Sequence, residues 1–242
     1  MTEERFGVSH FEQHFENEQD AVAKTGIKGW SDLVMKGYGF DGDSNYANLQ
    51  FEIEYASFDD IKLTVLHQEG IVIATLGLRK TAHFPGYSSF GVHGIVVLPE
   101  LQGRGIGKLL YKEASKSPDV EIIAGSTKSP AAVIARSKGT AKSGMKTFYG
   151  YSEVTSPTCY GISKDHLRFL EAYLANKEDI YPSGPIVLKS TDILLPDIPD
   201  LSKSPINIRE AFTPVVLRQM ELGKSKTAAM PLISIKEDVI NG

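Results

Sequence analysis

The sequence predicts a mixed α/β fold: a mostly antiparallel sheet flanked by helices, with an added C-terminal region. Three observations predict it. Between Leu49 and Leu98 short apolar or alternating segments are separated by turn residues, the pattern of a strand meander. The apolar run Gly94–Leu98 then meets Pro99 and a glycine-rich turn, and an amphipathic helix follows. Another strand signal, Val120–Ala124, comes directly after that helix. Hairpin-linked strands are antiparallel, whereas a strand–helix–strand crossover returns parallel to its partner. The sheet is therefore mixed.

The elements read in order as follows. Residues 1–48 are polar with scattered aromatics and form an N-terminal helical and loop segment, with helices expected at His10–Lys24 and Trp30–Lys36. The glycine-rich stretch 37–43 is a loop by composition. Leu49–Ala56 alternates Phe51, Ile53 and Tyr55 against Gln50, Glu52 and Glu54, which is strand periodicity. Ile61–His67 and Ile71–Leu78 form a hairpin about Gln68-Glu69-Gly70, and Ser88–Leu98 is the next strand. Ala131–Lys138 reads as a helix, broken at 139–144. These make 49–155 a core, and 156–242 an extension packed on it or on a second subunit. Within the extension, Leu167, Leu170 and Leu174 mark a helix to about Lys177, and five prolines lie between Pro182 and Pro205. Asn207 and Glu210 have a capping-box spacing that opens a helix to Leu222, and Met230–Ile235 is a final strand.

The turn carries the chemistry. The first N–H groups of a helix have no internal partner, and the helix dipole adds positive potential there, so a strand–turn–helix junction attracts anions. Gly103, Gly105 and Gly107 remove side chains that would hold a pyrophosphate away from the backbone. Ile106, Leu109, Leu110 and Ala114 share one helical face suited to a sheet. The spacing is neither a P-loop nor a dinucleotide fingerprint.

Gln102-x-x-Gly105-x-Gly107, preceded by an apolar strand and Pro99, resembles the acyl-CoA signature of the GNAT N-acetyltransferases. That resemblance implies transfer of an acyl group, acetyl above all, from acyl-CoA to an amine, without a metal. It implies that the backbone of Gln102, Gly103, Arg104, Gly105, Ile106, Gly107 and Lys108 holds the pyrophosphate. It also implies that exposed backbone at Ile95, Val96 and Val97 pairs with the pantetheine amides, and that an N–H of Val97 or Ile95 stabilises an oxyanion. His93, nine residues before Gln102, stands where the arylalkylamine branch carries a catalytic histidine, and histidines titrate near neutrality. The family's acid is a tyrosine in a later helix. Here that position falls on Arg136 if Ser129-Pro130-Ala131-Ala132 opens the pattern, or on Tyr149 if residues 137–147 are an insertion. His93 and Tyr149 are the candidate base and acid; each also has a plain packing role as an alternative.

Bulk properties narrow the class. The chain has 242 residues, 41% of them hydrophobic and 23% charged, which is globular composition. A net charge of −4 exerts no global pull on nucleic acid or anionic membrane. No window has the ~20 apolar residues of a spanning helix. The single cysteine, Cys159, excludes an internal disulfide framework and reads as a small hydrophobe, in keeping with a cytoplasmic setting. Five cations and no acid lie within 128–146. That basic segment leaves open a nucleic-acid base or modified nucleotide as acceptor, and the departure from the tyrosine pattern leaves open a non-enzymatic binding or assembly module. A homodimer is compatible with the apolar extension.

Overall fold

The computed structural model describes residues 6–39, 55, 60–127, 129–151, 159–160, 169, 172, 188–190, 206, 209–210, 213 and 227–241. Contacts divide the chain into two compact units: Met1–Lys80 with Phe90–Val120, and Thr81–Ser89 with Glu121–Gly242. This division runs across the compositional boundaries at 48 and 155.

In the first unit β1 (Gly7–Phe11) pairs antiparallel with β2 (Ile61–Gln68), from Gly7 opposite His67 to Phe11 opposite Leu63. β2 pairs antiparallel with β3 (Ile71–Thr81), with a bulge between Leu66 and His67. The hairpin closes through Glu69 and Gly70, both at positive φ. β4 (Ser89–Val97) borders β3. Thr81 meets Ser89 at one end, and Leu98 N–H reaches the Ile73 carbonyl at the other, so these two also run antiparallel.

Two helices precede β2, α1 (Glu18–Thr25) and α2 (Trp30–Tyr38). α1 opens on Asn17, whose side chain accepts the Asp20 N–H at 2.9 Å. His10 and Phe11 belong to β1 rather than to the helix expected from His10. Five alternating residues are too short a pattern to outweigh the polar helical run that follows, and only pairing with β2 reveals the strand. The expected strand Leu49–Ala56 lies outside the described residues except for Tyr55, whose backbone is helical rather than extended. Its ring is buried against Trp30 at 5.3 Å, and its hydroxyl meets Thr75 Oγ1 at 2.8 Å. Trp30, fully buried, donates to the Ile27 carbonyl at 2.8 Å and packs with Phe15, Leu33, Val34, Leu63, Val65 and Val96. Burying such side chains contributes about 1.5–3 kcal/mol each. A Cβ on Gly37 would stand 2.2 Å from Val96 Cγ1, so only glycine lets α2 lie this close to β4.

β4 leads through a 3₁₀ turn (Pro99–Leu101) into α3 (Ile106–Ala114). α3 buries Ile106, Leu110, Tyr111 and Ala114 and packs against β2. Leu63 and Val65 face the α1–α2 cluster, and Lys62, alternating with them, reaches Asp119 just beyond α3. The strands are thus covered by helices on both faces.

The second unit contains β5 (Ile122–Thr127), α4 (Pro130–Thr140), β6 (Met145–Tyr151), β7 (Cys159–Tyr160), β8 (Leu188–Ser190), β9 (Thr227–Lys236) and α5 (Glu237–Asn241). β9, from the end of the chain, lies between β5 and β6 and is antiparallel to both. The β6 ladder stops at Leu232, one residue short of Pro231, which has no N–H to give. Ile122, Ala124, Phe148, Ile233 and Ile235 form the core with Phe84 and Phe169. Phe169 and Ala172 are the described residues of the helix expected to Lys177; both are helical and both pack on this core. Ile206, Arg209, Glu210 and Thr213 are helical, and Asn207, the expected cap, lies outside the described residues. Among the described residues no helix is long and apolar enough to cross a membrane.

Candidate functional site

The junction of β4 and α3 is built by backbone geometry. Leu98 turns out of the strand, Leu101 N–H bonds back to the Leu98 carbonyl at 2.9 Å, and Gln102 N–H to the Pro99 carbonyl at 3.2 Å. The Gln102 side chain then donates from Nε2 to the Val97 carbonyl at 3.2 Å, tying the turn to the last residue of the strand. Gly103 and Gly105 sit at φ 76° and 85°, left-handed values that favour glycine. Nothing lies within 4 Å of where a Cβ would stand at either residue, so the outer side of the turn is open.

Gly105 is the N-cap of α3, and no side chain caps the helix. The first bond into the helix runs from Leu109 N–H to the Gly105 carbonyl at 3.1 Å. The N–H groups of Ile106, Gly107 and Lys108 precede it and belong to the unsatisfied first turn. Arg104 and Lys108 are exposed on either side of Gly105 and add positive charge to the helix end. Buried Ile106 anchors the helix beneath them. Backbone donors, dipole and two cations therefore converge on one open surface, which suits a phosphate or pyrophosphate.

His93 lies on β4, four residues before Val97, and is half-buried. Its Cβ is 3.7 Å from the position a Cβ on Gly77 would take, so the neighbouring strand offers no side chain there. Ile95 and Val97 are partly buried, and Val96 turns into the Trp30 cluster. His93, the strand and the turn thus belong to one unit.

Tyr149 belongs to the other unit. It lies on β6, opposite Leu232 of β9 and Tyr160 of β7, and is 9% exposed. Arg136, the other position open for the acid, is buried on α4. Its Nε donates to Ser234 Oγ at 3.2 Å and a terminal nitrogen donates to the Ile123 carbonyl. Arg136 is therefore a structural cation, and it leaves the basic segment that the sequence had suggested. Lys138, Lys142 and Lys146 are exposed, with Lys146 3.8 Å from Glu237, and Lys128 lies outside the described residues. Sequence reasoning missed the Gln102–Val97 bond, although the position of Gln102, just past the proline turn, is the signal that held it. Among the described residues no three His, Cys, Asp or Glu side chains gather as a metal ion would need.

Residues 29–117 match the acetyltransferase (GNAT) family, a span that includes β4, the turn and all of α3. Over residues 29–117, then, the chain is similar to GNAT acetyltransferase domains. No curated protein matches. Among solved structures it is similar to a diaminobutyrate acetyltransferase from Paenibacillus lautus, in complex with L-2,4-diaminobutyric acid and coenzyme A. That pair is 16% identical, with 64% of this chain and 90% of that one covered and a TM-score of 0.39. An IAA acetyltransferase from Bacillus cereus is 18% identical, covering 61% and 82%, with a TM-score of 0.34. An aminoglycoside 6'-N-acetyltransferase from Enterococcus faecium is 17% identical, covering 50% and 61%, with a TM-score of 0.36.

Proposed function

We propose that the protein is an acyl-CoA-dependent N-acyltransferase, with acetyl-CoA as donor and an amine as acceptor. The observation that carries this reading is the open, uncapped α3 N-terminus, held to β4 by the Gln102–Val97 bond and flanked by Arg104 and Lys108. The residues present fit the donor's pyrophosphate, because both left-handed glycines leave the approach to the backbone clear. The donor supplies an activated acyl thioester. The backbone from Gln102 to Lys108 binds its phosphates, and the backbone of Ile95, Val96 and Val97 orients its amide arm. An N–H of Val97 or Ile95 donates to the carbonyl oxygen under attack. His93 takes the proton from the acceptor amine. A cytoplasmic location and a homodimer belong to the same proposal, on composition alone.

Calorimetric titration with acetyl-CoA tests it. The wild-type chain should bind, and Gly105→Asp should not, since the new carboxylate stands where the pyrophosphate binds. Gly105→Ala separates charge from backbone strain, which costs about 1–3 kcal/mol at such a position. It should retain measurable binding. Equal affinity of folded Gly105→Asp and wild type would reject the site.

A further inference from the structure

The far end of α3 borders a second feature, a cavity of about 340 Å³ between that helix and strands β1, β2 and β3. Small-ligand sites occupy roughly 300–1,000 Å³. The cavity is separate from the turn at Gly105, because α3 advances about 1.5 Å per residue and Ala114 lies roughly 12 Å along the axis from Ile106. Its wall is apolar at Phe11, Leu78 and Ala114. Its charges come in both signs: Lys62 and Lys116, with Glu12 and Glu113.

Lys62 is mostly buried and hydrogen-bonds Glu12 and, at 2.9 Å, Asp119. Burial works against its charge, yet these two carboxylates lift its pKa above the ordinary lysine value. Its ammonium also lies 5.7 Å from the Phe90 ring centre. Glu113 is mostly buried too, with Lys116 at 2.6 Å. Glu12 is exposed at the rim. A simple anion entering here meets Glu12 and Glu113, and a simple cation meets Lys62 and Lys116. An uncharged apolar molecule strips water from ions that it cannot pair. A molecule with an ammonium, a carboxylate and a short apolar body meets all three demands.

We infer that this cavity binds a small zwitterion with an apolar side chain, the chemistry of a free α-amino acid. The carboxylate pairs with Lys62, the ammonium with Glu12 and Glu113, and the side chain lies on Phe11, Leu78 and Ala114. Titration of the full chain with L-leucine and L-methionine tests this, alongside 3-methylbutylamine and 4-methylpentanoate, which are leucine without its carboxylate and without its ammonium. Saturable binding of an amino acid is expected, with a Kd of roughly 1 mM or tighter. The single-charge compounds should bind at least about tenfold more weakly, a difference of about 1.4 kcal/mol. Lys62→Met should abolish binding, and Glu12→Gln, at an exposed position, should weaken it even if Lys62→Met fails to fold. Acetyl-CoA affinity should stay at the wild-type value in Glu12→Gln, which separates this cavity from the turn. Absence of saturable amino-acid binding would overturn the inference. So would single-charge compounds that bind as tightly as leucine, or a folded Glu12→Gln that binds leucine like wild type.

Discussion

The guanidinium of Arg136 on α4 donates to the Ser234 hydroxyl on β9 at 3.2 Å and to the Ile123 carbonyl on β5. Ser234 Oγ also meets Thr147 Oγ1 on β6 at 2.8 Å, and Thr147 meets Thr140 of α4 at 3.0 Å. One buried polar cluster therefore joins a helix to three strands, and one of those strands comes from the end of the chain. Such a cluster is stable only when its members are satisfied together.

Arg136→Met should destabilise the fold by about 1.5–3 kcal/mol, the range for a lost hydrogen bond to a charged group. Arg136→Lys should recover only part of this, because an ammonium cannot reach a hydroxyl and a carbonyl with the planar fork of a guanidinium. Urea denaturation followed by circular dichroism reads both. A loss of less than a few tenths of a kcal/mol in Arg136→Met would show that the cluster holds nothing together.

Arg136 also shows where sequence reading stops. In the linear pattern it stands in a run of cations and reads as surface charge; its burial depends on β9, some ninety residues later. Conversely, β2, β3, β4, the turn and α3 were legible, because their periodicity and glycines act over a few residues. The final strand was legible at Met230–Ile235, but its place between β5 and β6 was not, since register across a sheet leaves no local mark. β1 was hidden for the same reason. At the site, the glycines and Gln102 were readable as a motif. Which atom Gln102 bonds was not, because that depends on how far Pro99–Leu101 turns the chain back.

Asp119 gives stability a pH dependence. Burial raises its pKa, but the Ser117 hydroxyl and Lys62 outweigh burial and hold the carboxyl below its ordinary value. A group with a lowered folded-state pKa stabilises above its unfolded value, about 3.9, and loses that contribution as pH falls through the folded value. Asp119→Asn should therefore be less stable than wild type at pH 7, and the gap should close below about pH 4. The side chain is half exposed, so the gap at pH 7 should be only about 0.2–1 kcal/mol. Melting temperatures of both proteins across pH check the sign; a gap that widens on acidification would contradict it.

The exposed lysines of the second unit separate two acceptor classes. Lys138, Lys142 and Lys146 changed together to Gln should leave the melting temperature nearly unchanged, because exposed charges contribute little and the Lys146–Glu237 pair is solvated. With a small amine as acceptor, its KM should not move. With a polyanionic acceptor, binding should weaken and its salt dependence should flatten. Fluorescence titration with a short RNA at two salt concentrations distinguishes these. Equal, salt-independent signals from wild type and the triple variant would remove nucleic acid as an acceptor.

His93 is the sharpest test of the proposed chemistry, because it lies on the strand that runs into the turn, nine residues before Gln102. His93→Ala should lower kcat by about 10²–10⁴-fold, the usual contribution of a general base. Acetyl-CoA affinity should change little, since Gln102 to Lys108 are untouched. A fall in kcat with unchanged acetyl-CoA affinity and an unchanged melting temperature is a readout that a packing role would not give. Tyr149→Phe keeps the ring and removes only the hydroxyl, so a fall in kcat with an unchanged melting temperature would mark the acid. Where an acetyl-CoA-dependent rate is measured under conditions in which chemistry limits turnover, a His93→Ala enzyme with wild-type rate at every pH would take His93 out of the reaction and leave it as a residue that packs beside Gly77.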